Sequence, residues 1–386
     1  MHDPRIDRLA DVLVNYSTRV KKGDLVAIRA DLPAWPAVEA TFAAVLRAGG
    51  HPFFALQSER VTELFLEHAS EEQLRYLNPL DLERIGRIDV QIAFWSESNT
   101  KSLSRFPSEK IALQQSSRRP FMKVFMERSA AKSLRWVGTQ FPTNASAQDA
   151  EMSLTQYADF VFCAGLLHLP DPAAAWARIS ERQDRVRAFL QGKKQIHFRV
   201  PPATGPGGHD GTDLRVDVSG STWINCDGHE NFPDGEVFAG PQGADGHVNY
   251  TFPAVYQGKE VEGVRLAFKG GRVVDASARK NEDFLIKMLD QDNGARVMGE
   301  IAIGTNYSIA EFTRNTLFDE KIGGTFHAAV GAGYPESGCS NESGLHWDMV
   351  CDLRARSGQP GGSISADGEV FHRDGAFLHA DWPGRD

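Results

Sequence analysis

Between residues 234 and 352 the chain carries polar residues of unusual kinds in segments otherwise dense in glycine and apolar side chains. In LHWDMVC, residues 345–351, an extended backbone would put His346 and Asp348 on one face and Trp347 on the other, because strand side chains alternate. Taken alone, such a pair also fits a hydrogen-bonded couple on a half-exposed strand. The run GGTFHAAVGAGY, residues 323–334, sets His327 and Tyr334 among very small residues, where an imidazole finds few partners beyond the backbone. Glu300 sits in the apolar run GEIAIG and would be costly to bury unless a cation or several donors compensated it, although an edge-exposed glutamate reads equally well. Glu236 in PDGEVF reads singly as a hairpin carboxylate, and Glu320 in FDEK as a charge at a helix end.

Taken together, the set changes meaning. Glu236, Glu300, Glu320 and Asp348 supply four negative charges, and two divalent cations supply four positive ones. Carboxylates converging without metal would repel one another and raise their own pKa values, whereas carboxylates and imidazoles bridging two ions ~3.5–4 Å apart is a familiar arrangement of hydrolytic metalloenzymes. Oxygen and imidazole donors without thiolate suit zinc, cobalt or manganese. Nucleophilic chemistry has less to stand on: there is no G-x-S-x-G elbow, and Cys339 has no base beside it in sequence.

The elements that must position these residues fall into two patterns. In the first half, helical spacing of Ile6, Leu9, Ala10, Leu13 and Val14 is followed by alternating apolar runs and helices: strands at 25–30, 51–56, 90–95, 135–138 and 159–164, and a helix at 35–47. This predicts a layered α/β domain over residues 1–193. Asp171-Pro172 starts a helix ending near Gly192. From Gln195 onward short period-two runs alternate with glycine turns, at 196–200, 214–218, 263–268 and 272–276, with one helix at 281–289. A β-rich α+β domain carrying the metal ligands is expected over 194–386. The glycine-rich run 205–211 lacks the Lys-Ser/Thr of a phosphate cradle and reads as a surface loop.

An apolar fraction of 41% with 24% charged residues in 386 is ordinary for a chain of two folded domains. A net charge of −9 without a compensating basic stripe argues against nucleic acid. No apolar run approaches the ~20 residues that span a bilayer, and the start MHDPR has no secretory pattern, so a cytoplasmic protein is expected. Four scattered cysteines without C-x-x-C spacing suggest neither a disulfide framework nor a thiolate zinc site.

Several longer motifs carry a resemblance: NFPDGEVFAGP at 231–241, VYQGKEVEGVRL at 255–266, GEIAIGTN at 299–306, TLFDEKIGGTFHAAVGAGYP at 316–335, SGLHWDMVCDLR at 343–354, and WVGTQFPTNASAQDAEMS at 136–153. In this order the chain resembles, over nearly its whole length, the aminopeptidase T and aminopeptidase S family of dinuclear metallopeptidases. The resemblance implies that Glu236, Glu300, Glu320, His327, His346 and Asp348 hold two divalent ions and that Tyr334 lies near them; in the mechanism expected of such a centre, Glu320 or Glu300 accepts a proton from the attacking water and Tyr334 donates to the developing oxyanion. It implies a homodimer acting on peptides with a free N-terminus, with apolar residues such as leucine favoured. The interval from Glu320 to His327 is two residues longer than the resemblance leads one to expect, the excess lying in Ile322-Gly323-Gly324. An alternative on the same fold is a mononuclear non-haem iron dioxygenase for a hydroxylated pyridine, which would need only His327, His346 and Asp348. A non-catalytic, metal-stabilised peptide-binding dimer is the other, disfavoured by the lack of thiolates.

Overall fold

The computed structural model describes residues 3–203, 208–356 and 361–385, so part of the glycine-rich run at 205–211 lies outside the described residues. Contacts divide the chain into two units, residues 1–175 with 228–233, and residues 176–227 with 234–386.

The first unit is built on a parallel sheet with strands in the order His51–Leu56, Leu25–Ala30, Val90–Trp95, Arg135–Gln140 and Asn231–Phe232. Leu25–Ala30 and Val90–Trp95 bury most of their residues, the near-continuous apolar pattern typical of parallel strands. Four of the five expected strands are present. The exception is 159–164, which belongs to the helix Leu154–Ala164. A short apolar run such as DFVFCA has no periodicity of its own. The capping box at its start decides the outcome: Ser153 Oγ accepts from Gln156 N–H, and Gln156 Oε1 accepts from Ser153 N–H.

The long helix Pro172–Leu190 crosses the contact division, which falls before the boundary at residue 193 that the change from helical to period-two spacing predicts. The helix sides with the second unit because Val186 and Leu190 are fully buried in that unit's core, and Gln183 Nε2 donates to Asn225 Oδ1 at 2.7 Å and to the Cys226 carbonyl at 2.9 Å.

The second unit contains an eight-stranded antiparallel sheet and a five-stranded one. The smaller sheet runs His346–Asp352, Thr325–Gly331, Met298–Gly304, Glu236–Ala239, Ile224–Cys226, with every pair antiparallel. One of its faces is apolar: Val237, Ala239, Ile301, Ile303, Phe326, Ala328, Val330, Trp347, Met349 and Cys351 all join the core. Phe326 stacks on Phe198 of the larger sheet with ring centroids 4.2 Å apart, so the two sheets share that core.

Candidate metal centre

Since strand side chains alternate, burying the odd members of Glu236–Ala239 and Met298–Gly304 and the even members of Thr325–Gly331 forces the others onto the opposite face. That face presents Glu236, Glu300, His327, His346 and Asp348. The register brings them into neighbouring rows: Ala302 opposes His327, Ala329 opposes both Glu300 and Asp348, Gly331 opposes His346 and Gly304 opposes Glu236. The small residues Ala302, Ala329, Gly304 and Gly331 leave the space between the long polar side chains open.

One irregularity makes this possible. Met298 pairs with Val330 and lies in the core, yet Glu300, two residues on, points to the other face. A β-bulge at Gly299 supplies the extra residue that reverses the facing. A Cβ at Gly299 would sit 2.4 Å from the Ala332 carbonyl oxygen and 2.6 Å from that of Gly331, so only glycine fits.

The six expected residues come together. His327 Nε2 lies 3.1 Å from Glu300 Oε1, 3.6 Å from Glu236 Oε2 and 3.8 Å from Asp348 Oδ1. His346 Nε2 is 3.4 Å from Asp348 Oδ1 and 3.9 Å from Glu300 Oε2. Each imidazole is fixed from behind: His327 Nδ1 donates to the Glu320 carbonyl at 3.1 Å and His346 Nδ1 to the Ala332 carbonyl at 2.8 Å, which leaves both Nε2 atoms turned toward the carboxylates. Glu236 and Glu300 are buried, with 6% and 4% of their surface exposed, a position in which a carboxyl group needs a neighbouring cation or a proton of its own.

Glu320 arrives by a different route, at the end of the short helix Thr316–Asp319 rather than on a strand. The residues behind it turn sharply: a Cβ at Gly323 would meet the Tyr307 backbone at 2.8 Å, and Gly324 has φ +86°. The longer interval thus forms a tight turn that returns the chain to His327. Two donor sets share His327, namely Glu236, Glu300 and His327, and Glu320, His327 and Asp348, with the ligand atoms of each set within 4.8 Å of one another.

The protonation tendencies agree with a centre that demands positive charge. Burial opposes a charged His327, yet Glu300, Glu236 and Asp348 hold its pKa up at about 10; Asp348 does the same for His346 against its burial, also to about 10. Burial pushes Glu236 up to about 8 despite Lys321. Protons are drawn to the places a cation would occupy. Glu236 Oε2 and Asp348 Oδ1 are buried and accept no hydrogen bond, and a divalent ion would satisfy both. The donor set, carboxylate oxygens and imidazole nitrogens, therefore fits a divalent metal.

Two neighbours were not legible in the sequence. Lys321 is fully buried against Glu320, Glu236 and Asp234, and Asp234 is itself buried. FDEK reads as a solvated helix end, and nothing local in the sequence says that three carboxylates enclose the lysine. Cys226 also lies close to Asp234 and Glu236, although burial pushes its thiol well above the ordinary range, which keeps it protonated.

The sequence matches the family described as thermophilic metalloprotease (M29) over residues 2–377. The chain belongs to the M29 metalloprotease family. Among its relatives are aminopeptidase 2 of Geobacillus stearothermophilus, 27% identical over 90% of this chain and 92% of that one, and aminopeptidase T of Thermus aquaticus, 26% identical over 98% and 91%. The solved structure of AmpT from Thermus thermophilus superposes with a TM-score of 0.82 over 97% of this chain and 99% of that one, at 23% identity, and so shares the fold. The shared fold bears out the expected mixed α/β architecture, and M29 membership with its aminopeptidase relatives bears out the expected class of enzyme, a metal-dependent aminopeptidase. The iron dioxygenase alternative gains no support from these relatives.

Around the centre, a narrow cleft opens beside Glu320 and Asp348, walled by Pro253, Val255, Phe312 and Val350 together with Arg314, Thr316 and Asp319. Phe312 stacks on Phe252 with centroids 5.0 Å apart, which stiffens that wall. Tyr334 borders the centre on another side, edge-on to His346 at 5.4 Å and to Phe238 at 5.6 Å, and remains partly exposed. Partial burial and then Glu300 and the other carboxylates raise its pKa, so the phenol keeps its proton. Among the described residues, no helix is long and apolar enough to cross a membrane.

Proposed function

We propose that this chain removes N-terminal residues from peptides at a dinuclear centre in the region 194–386, with Glu236, Glu300, Glu320, His327, His346 and Asp348 as ligands to two zinc, cobalt or manganese ions. The observation that carries the proposal is the convergence of two ligand sets on His327, with buried carboxylate oxygens left without hydrogen-bond donors. When bound, the ions would supply Lewis acidity and a water of lowered pKa.

The chain's own groups divide the remaining work. His327 and His346, locked through Nδ1, hold their Nε2 lone pairs inward. Glu300, wedged between the two histidines, is proposed as a ligand first and as the second choice of proton acceptor. Glu320 faces the cleft and is proposed to take the water's proton. Tyr334, kept protonated, is proposed to donate a hydrogen bond to the oxygen on which charge develops as the peptide carbonyl becomes tetrahedral. Pro253, Val255, Phe312 and Val350 form the apolar part of the cleft beside Glu320, and the proposed preference for an apolar first residue such as leucine rests on the family resemblance. The family resemblance extends the proposal to a homodimer acting in the cytoplasm on peptides with a free N-terminus.

The experiment is a metal assay coupled to hydrolysis of a leucyl anilide before and after chelation. Two ions per chain and activity that disappears with the chelator and returns with metal are expected. Chelator-resistant hydrolysis, or hydrolysis of N-blocked peptides at equal rates, would refute the proposal.

A further inference from the structure

Lys321 has no exposed surface. Its ammonium contacts Glu320 Oε1 and lies 3.6 Å from Glu236 Oε1 and 3.7 Å from Asp234 Oδ1. A fully buried lysine is tolerated only when paired, and here the pairing is in excess, since one ammonium faces three carboxylates. The lysine touches one oxygen of Glu236 and leaves the other, Oε2, 3.6 Å from His327 Nε2 without a hydrogen bond. Its backbone is anchored as well: Asn306 N–H donates to the Lys321 carbonyl at 3.0 Å, while the Asn306 side-chain amide donates to the Asp234 carbonyl at 2.9 Å. One asparagine thus ties the backbone of the lysine to that of Asp234. With Asp234 included, five carboxylates stand around the centre, and two divalent ions with one ammonium would match their charge.

We propose that Lys321 acts as a resident cation. It neutralises Glu236 and Glu320 through one oxygen of each, leaves the other oxygen of Glu236 beside His327, and lets the chain fold before divalent ions arrive. The same positive charge repels those ions, so the chain holds them less tightly than the bare carboxylates would. The proposal rests on the dinuclear reading given above.

The test compares wild type with Lys321→Met, of similar length and no charge, by melting temperature in chelator and in saturating zinc chloride, and by zinc titration against a competing chelator. In chelator the variant should melt at least about 5 °C below wild type, zinc should close most of that gap, and zinc should bind at least about tenfold more tightly. An equal loss with and without zinc, or unchanged or weaker zinc binding, overturns the role and leaves an ordinary structural ion pair. Should Lys321→Met not accumulate as folded protein, Asp234→Asn/Lys321→Met decides, because it removes one carboxylate together with the ammonium. A folded double variant supports the resident cation; an unfolded one overturns it, since lost packing rather than unbalanced charge is then the cause. If wild type itself shows no zinc response, the dinuclear reading falls and this proposal with it, whereas equal responses in both chains sink the lysine's role alone.

Discussion

His327 Nε2 and Glu300 Oε1 stand 3.1 Å apart across two antiparallel strands, although strict alternation from Met298 would have sent Glu300 to the opposite face. Both proposed ligand sets depend on His327, so it is the position whose loss should cost the most metal. His327→Ala is expected to lower zinc affinity by at least about a hundredfold and to abolish turnover, with Glu300→Gln close behind. Metal content after gel filtration checks this. Full occupancy in His327→Ala would show that the imidazole is not a ligand.

The facing of Glu300 rests on Gly299. A methyl group there would press on the Ala332 and Gly331 carbonyl oxygens at 2.4 and 2.6 Å, so Gly299→Ala must open the bulge or distort the strand pair. A loss of about 1–3 kcal/mol in denaturant unfolding is expected, together with weaker zinc binding. The corresponding change at Gly192, whose Cβ would meet nothing within 4 Å but whose φ is +89°, should cost stability without touching the metal. If both changes leave zinc affinity unaltered, the bulge does not aim the carboxylate.

How much of this could be read in advance follows from the same geometry. His346-Trp347-Asp348 was legible because alternation is a local rule, and the structure puts Trp347 in the core and the other two on the opposite face. The parallel sheet was legible for the same reason, through its short apolar runs. The bulge was not, because nothing in GEIAIG distinguishes one register from another until the facing strand is present. Lys321 and Asp234 were hidden more deeply still: their burial results from contacts between segments more than eighty residues apart, and each looks like a solvated charge beside its own neighbours. The segment 159–164 failed for a local reason, since its apolar residues fit either period and the capping serine that settles the matter lies outside the run.

Protons and metal ions compete for the two histidines. Without metal, Asp348 and Glu300 keep His327 and His346 protonated up to about pH 10 against the opposing effect of burial. Metal binding must therefore release protons throughout the neutral range. Apparent zinc affinity is expected to rise with pH between 6 and 9 by roughly one to two orders of magnitude per unit, and His346→Gln should lower that slope by about one. Titrations against a chelator of known proton affinity at four pH values measure the slope. A flat profile would mean that neither imidazole is bound by the metal.

Tyr334 meets the centre in a T-shaped contact with His346, and its phenol is held protonated. Tyr334→Phe should leave zinc content at the wild-type value while lowering kcat by roughly a hundredfold, the usual scale for removing one donor to a developing oxyanion. KM should change little. Equal turnover in the variant, or loss of metal along with activity, would remove the tyrosine from the proposed role.

His372 lies far from this chemistry in purpose but offers a clean reading of stability against pH. It is fully buried in the strand Glu369–Arg373, edge-on to Phe377 at 4.9 Å, and burial lowers its pKa from 6.5 to about 3. Because the folded value is depressed, the unfolded chain takes up the proton first. The neutral imidazole therefore contributes its full stability above about pH 6.5 and loses it as the pH falls from there toward 3, at roughly 1.4 kcal/mol per unit. His372→Gln removes this titration. Urea unfolding of both chains in chelator, which takes metal loss out of the comparison, should show wild type ahead at pH 7.5 and its lead shrinking by about that amount per unit through pH 5.5 and 4.5. A lead that stays constant across this range would show that His372 is as easily protonated in the folded chain as in the unfolded one.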